Sequence, residues 1–174
     1  MSSPATIKAA LERNVKVVEA RPSVGQGTAV TRVTLHPGLA CDVEDGPWRF
    51  SVGMTEKYGG GNTGPNPGVY GRAALGSCLA IGYGMWAARL EIPVRSLTVE
   101  VRARYDVRGE LGIDDSIRPG YADLVYVVTV DTEAPDADVH RLLDTADRHS
   151  SWLDDLRNPV PVSREVRIIR SQAV

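Results

Sequence analysis

Apolar residues at Ile7, Ala10, Leu11, Val15 and Val18 follow one helical face behind a Ser3-Pro4 start, which predicts a short amphipathic helix with a turn into a strand near Val15 as its other possible ending. The period then changes to two. "GTAVTRVTLHPG" and "LACDVEDGPWRFSVGM" alternate apolar and polar positions and are broken by "HPG" and "EDGP", so a meander of two or three antiparallel strands is expected. "PVRSLTVEVRARYDV" and "GYADLVYVVTVDT" predict two long strands flanking a polar connection. "APDADVHRLLDTADRHSSWLDDL" returns to helical spacing through Val139, Leu142, Leu143 and Ala146, with Asp136 as its cap, and "REVRIIR" is expected to close the chain as a strand. This order implies an α+β fold with antiparallel or mixed sheets rather than a parallel βαβ sheet. Residues 1–22 are expected to form an N-terminal helical extension and 23–174 a single domain.

Between the two sets of strands, "GNTGPNPGVYGRAALGSCLAIGYGM" predicts a helix from Pro67 to about Leu90, capped by Asn66. Gly71, Gly76, Gly82 and Gly84 each cost roughly 1 kcal/mol relative to Ala in such a helix. Gly71, Ala74, Cys78 and Gly82 share one face of small residues, which calls for something packed closely against it: a crossing helix, the same helix of a second copy, or a ligand. Cys78, in the middle of that face, is open to two readings. It is a small buried hydrophobe, or a thiolate, which would need positive charge nearby and some access to solvent.

With 174 residues, 43% hydrophobic and 24% charged, the chain is long enough for one well-packed domain. Its net charge of -2 argues against nucleic acid as a partner. "AALGSCLAIGYGMWAA" is shorter than the roughly 20 residues of a membrane span, and residues 1–14 lack the apolar stretch of a signal peptide, so a cytoplasmic protein is expected. Cys41 and Cys78 are too few for a disulfide framework. His36, His140 and His149 are scattered and no CxxC occurs, so no metal site is expected. "KYGGGNTGP" lacks the GK[ST] of a phosphate-binding loop.

"GGGNTGPNPGVYGRAALGSCLA" resembles the signature of the OsmC/Ohr family: a glycine-rich loop, an Asn-Pro helix start and a cysteine on the central helix about a dozen residues after the proline. A later helix followed by a "PV" turn agrees as well, and the resemblance spans roughly residues 25–171. It implies an intertwined homodimer in which two central helices are wrapped by sheets from both subunits. The implied activity is reduction of organic hydroperoxides or hydrogen peroxide in oxidative or osmotic stress defence. No cofactor is implied beyond an external thiol reductant. Cys78 matches the peroxidatic cysteine. The resolving cysteine of the second helix falls at Ser150, and the glutamate after the Asn-Pro pair at Gly68. Glu56 is the candidate to replace that glutamate. Arg49 or Arg32 is the candidate for the thiolate-stabilising arginine, each also readable as a surface residue. Cys41 is the candidate resolving thiol if it approaches Cys78, and otherwise a strand residue facing the core. Two other functions stay open: a non-catalytic member binding an apolar small molecule beside Cys78, with Tyr83, Met85 and Trp86 as part of the wall, and a thiol-based stress sensor.

Overall fold

A computed structural model describes residues 3–170. Helix α1 (Pro4–Ala20) is capped by Ser3, whose Oγ accepts from the amide of Thr6 at 3.2 Å. The helix runs past Val15 without turning into a strand, because the ladder continues until Arg21 donates to Val17. Its Lys8 reaches across to the end of the central helix, α2 (Pro67–Leu90), and pairs with Glu91 at 2.7 Å.

Strands β1 (Arg32–His36), β2 (Ala40–Asp45) and β3 (Trp48–Gly53) form the expected antiparallel meander. The β2–β3 turn is the two residues Gly46 and Pro47. Gly46 takes φ +52°, the positive first angle that such a turn demands ahead of a proline. The register sorts the side chains sharply by face. Arg32, Glu44 and Arg49 align on one side, as do Thr34, Asp42 and Ser51, while the opposite side carries Val33, Val43 and Phe50 beside Leu35, Cys41 and Val52. Trp48 belongs to the apolar side too, and with Leu35 it lies open, 71% and 66% exposed. The sheet meets α2 where Phe50 packs on Tyr70 at 5.1 Å between ring centroids and the Tyr70 hydroxyl donates to the Ser51 carbonyl at 2.8 Å.

Helix α2 (Pro67–Leu90) has the boundaries expected of it. Asn66 Oδ1 accepts from the Val69 amide at 3.1 Å, and the helix ends where Glu91 turns left-handed at φ +56° and Ile92 donates back to Ala87. Leu75, Leu79 and Tyr83, four apart, form its buried stripe. They pack on the inner face of a second antiparallel pair, β4 (Ser96–Arg104) and β5 (Asp123–Asp131). On that face Leu97, Val99 and Val101 lie opposite Val130, Val128 and Tyr126. The connection between the strands includes one helical turn, α3 (Val107–Glu110).

The expected second helix is two helices. In α4 (Asp136–Asp147) the cap is Pro135, whose carbonyl accepts from Asp138 and Val139, so Asp136 is already the first helical residue rather than the cap. Arg148 to Ser150 break the axis, and Ser150 starts α5 (Ser151–Arg157). Leu142, with no exposed surface, packs α4 against Ala87 and Ile92. "REVRIIR" forms no strand within the single chain. A strand needs a neighbouring edge to complete its ladder, and none runs beside these residues, leaving Ile168 and Ile169 exposed. Among the described residues no helix is long and apolar enough to cross a membrane.

Candidate functional site

The central helix and the α4–α5 break meet at Cys78. Its Sγ lies 3.5 Å from Ser150 Oγ and 3.8 Å from Ser151 Oγ. Ser150 is buried and caps α5, accepting from the Leu153 amide at 3.4 Å. That bond uses a lone pair of the hydroxyl and leaves its hydrogen free to point at sulfur. The amides of Ser151 and Trp152 also face the thiol. Partial burial raises the Cys78 pKa, but the Ser150 hydroxyl, the Trp152 amide and the Ser151 hydroxyl and amide together outweigh it, and the net direction is down. The donors that favour a thiolate here carry no formal charge.

The break between α4 and α5 is held from three sides. Asp147 accepts from the Tyr83 hydroxyl through one carboxylate oxygen and from the Tyr126 hydroxyl through the other, each at 2.6 Å. His149 stacks on Trp86 at 4.8 Å between ring centroids, and its Nδ1 lies 2.7 Å from the Thr145 carbonyl. Arg89 covers the Trp86 ring at 4.8 Å. Tyr83 is 1% exposed. Two of the three side chains expected to wall an apolar ligand are therefore committed to holding helices together, and Met85 points outward. An open groove of about 760 Å³ lies between α1 and the end of α2, lined by Ile7, Ala87, Ile92 and Val94 among others, and does not include Cys78.

The other expected site residues lie elsewhere in the chain. Cys41 is on the apolar face of the meander, flanked across the strands by Leu35 and Val52, and both cysteines are free. Arg49, exposed on the polar face of the same sheet, pairs with Glu44 at 3.2 Å. Glu56 begins an exposed 3-10 turn, Glu56–Tyr58. Neither Arg49 nor Glu56 is hydrogen-bonded to Cys78. Gly68 sits beneath a pair that sequence reading passed over: Arg72 Nη1 donates to the Tyr121 hydroxyl at 3.0 Å, which donates to the Gly68 carbonyl at 3.2 Å. A Cβ at Gly68 would come within 3.3 Å of that hydroxyl and 3.2 Å of Arg72. The space a glutamate would need at position 68 is crowded by Asn66 and Arg72 of the same helix start and by the Tyr121 hydroxyl from a loop 53 residues away, and only the first two are local to the motif. Among the described residues no three His, Cys, Asp or Glu side chains gather as a metal would require.

Nothing packs where a Cβ on Gly71 or Gly82 would project, so the small-residue face of α2 is bare in the single chain. The α4–α5 break approaches it at Cys78, and of the three candidate partners for this face a helix crossing at Gly71 or Gly82 is not found among the described residues.

The fold is similar to that of several solved structures. An OsmC-like protein from Mycoplasma pneumoniae superposes with a TM-score of 0.67 at 10% identity, covering 77% of this chain and 90% of that one. An organic hydroperoxide resistance protein, OsmC, from Legionella pneumophila gives 0.56 at 15% identity, over 76% and 90%. An organic hydroperoxide resistance protein from Elizabethkingia anophelis gives 0.57 at 15%, over 77% and 91%. No curated protein sequence matches the chain. The model of the OsmC-like protein family matches residues 59–165, more than half of the sequence and all of α2, β4, β5, α4 and α5. The chain therefore belongs to the OsmC-like protein family.

Proposed function

We propose that the protein is a thiol-dependent hydroperoxide reductase in which Cys78 is the reacting thiol. The observation that carries this reading is the placement of Cys78 Sγ, 3.5 Å from Ser150 Oγ and 3.8 Å from Ser151 Oγ, where donors lower its pKa. The thiolate attacks one oxygen of the hydroperoxide. An S–O bond forms, the O–O bond breaks, and the alkoxide leaves and takes a proton to become the alcohol, while Cys78 is oxidised to the sulfenic acid. With a hydroxyl at Ser150, the second step is intermolecular. An external thiol condenses with the sulfenic acid to give a mixed disulfide and water, and a second thiol releases reduced Cys78. Cys41, on the apolar face of the meander, has no part in this cycle.

The same reading takes the working unit to be a homodimer. The apolar face bearing Leu35 and Trp48, the bare stripe of Gly71 and Gly82, and the exposed Ile168 and Ile169 are all apolar surface that a second copy would cover.

Consumption of an alkyl hydroperoxide in the presence of a dithiol tests the assignment. Turnover is expected in the wild type and in Cys41→Ser and absent in Cys78→Ser. A wild type that neither turns over nor gains mass at Cys78 after peroxide treatment overturns it.

A further inference from the structure

Asp147 is the last residue of α4 and sits one residue position before the break that turns the chain toward Cys78. It is not hydrogen-bonded to Cys78. Both of its oxygens are nonetheless used. Each accepts a phenol hydroxyl at 2.6 Å, the short range of bonds from a neutral hydroxyl to a carboxylate. The two phenols come from different layers: Tyr83 from the buried stripe of α2, five positions beyond Cys78 on the same helix, and Tyr126 from the inner face of β5. Burial first, then the bond to Asp147, holds both phenols protonated and donating. Arg157, in the last turn of α5, acts on both phenols in the opposite direction and is outweighed. One carboxylate thus ties α2, β5 and the start of the break together, and the next hydrogen bond along the chain, Ser150 amide to Asp147 carbonyl at 3.3 Å, leads directly to the hydroxyl beside the sulfur.

We infer that Asp147, clamped by Tyr83 and Tyr126, is a positioning residue that sets the reactivity of Cys78 by fixing where the first residues of α5 present their hydroxyls and amides. This rests on the reading of Cys78 as the reacting thiol. A hydrogen bond to sulfur fades steeply with distance and angle, so a small rotation of α5 about the break would remove donors from the thiolate without unfolding anything. The core alone does not set that rotation. Ala146 and Leu153 bury α4 and α5 against α2, but apolar contact is non-directional, whereas a carboxylate between two phenols fixes an angle.

The test titrates Cys78 in a Cys41→Ser background, following thiolate absorbance with pH and the rate of alkylation by iodoacetamide near neutral pH. Asp147→Asn is expected to raise the Cys78 pKa by about one unit, a tenfold loss of thiolate and of alkylation rate below the pKa. Tyr126→Phe, which removes one hydroxyl from a half-buried ring, moves both readouts in the same direction by a smaller amount and decides the matter should Asp147→Asn fail to fold. Leu142→Ala, which loosens α4 without touching the carboxylate, lowers the melting temperature and leaves the titration in place. A folded Tyr126→Phe or Asp147→Asn with wild-type titration overturns the inference, as does a Leu142→Ala variant that shifts the titration equally. Alkylation reports the thiolate whether or not peroxide is consumed. A wild-type protein without turnover but with clamp-dependent alkylation would sink the peroxidase reading and leave the clamp standing.

Discussion

Ser150 Oγ lies 3.5 Å from Cys78 Sγ although 72 positions separate the two residues. The hydroxyl serves two partners, accepting from the Leu153 amide to cap α5 and lying where its hydrogen can be given to the Cys78 thiolate. Removing it should show both roles. Ser150→Ala is expected to cost about 1 kcal/mol through the lost cap and to raise the Cys78 pKa. The direction of the linkage follows. Cys78 is held below the ordinary thiol value of 9.0, so its ionisation stabilises the fold fully above that value, and the contribution is lost as pH falls through the lower folded value. The melting temperature of the wild type, measured against Cys78→Ser, should therefore climb as pH is raised through that window. In Ser150→Ala the climb should flatten, and an unchanged climb would mean that Ser150 does not support the thiolate.

A sulfur in place of the Ser150 oxygen should find Cys78 within bonding reach after small side-chain rotation. Ser150→Cys is expected to form an intramolecular disulfide with Cys78 on treatment with one equivalent of peroxide, detected as a loss of two hydrogens in intact mass. The wild type should instead gain one oxygen. A Ser150→Cys protein that only gains oxygen would show that the break between α4 and α5 holds the two side chains apart in solution.

Stability should depend on the apolar seam of α4 far more than on the ion pair of α1. Leu142 is wholly buried against Ala87 and Ile92, and Leu142→Ala should cost roughly 2–5 kcal/mol in denaturant unfolding. Lys8 and Glu91 meet at 2.7 Å but in the open, and Lys8→Ala should shift the unfolding midpoint far less than Leu142→Ala, by an amount that shrinks with added salt.

Trp48 stands 71% exposed on the otherwise apolar side of the meander. If a second copy covers that side, Trp48→Glu buries an unpaired charge in the contact and should shift the protein toward monomer in sedimentation. A wild type that sediments as monomer at all concentrations would remove the reason to place a second copy there.

The elements whose signals are local were legible in the sequence. Asn66-Pro67 announced the start of α2, period-two alternation announced the strands, and the glycine-rich approach to Cys78 pointed to the family. Ser150 was legible only through the resemblance, as the place where a cysteine was missing. Asp147, Tyr83 and Tyr126 were not legible at all as a group, because their meeting is a product of the tertiary fold. Tyr83 looked like a ligand wall because it shares a helix with Cys78, but its buried hydroxyl requires a partner and found one on α4. The break at Arg148–Ser150 was hidden by helical spacing that continues across it, with Ala146 and Leu153 both buried on the same seam. "REVRIIR" alternates like a strand, yet alternation describes what a segment suits and says nothing of whether an edge is there to receive it.

The bare face of α2 sets two demands on the sequence against each other. In one isolated copy, alanine at Gly71 and Gly82 would meet no neighbouring atom, and each exchange would strengthen the helix by about 1 kcal/mol. Selection for heat resistance of single molecules would therefore drift toward alanine at both positions. Selection for whatever must lie flush on that surface would hold glycine. The two residues are where directed evolution for robustness and evolution for activity should part company, and their fate in a heat-selected library would reveal which of the two the natural sequence obeyed.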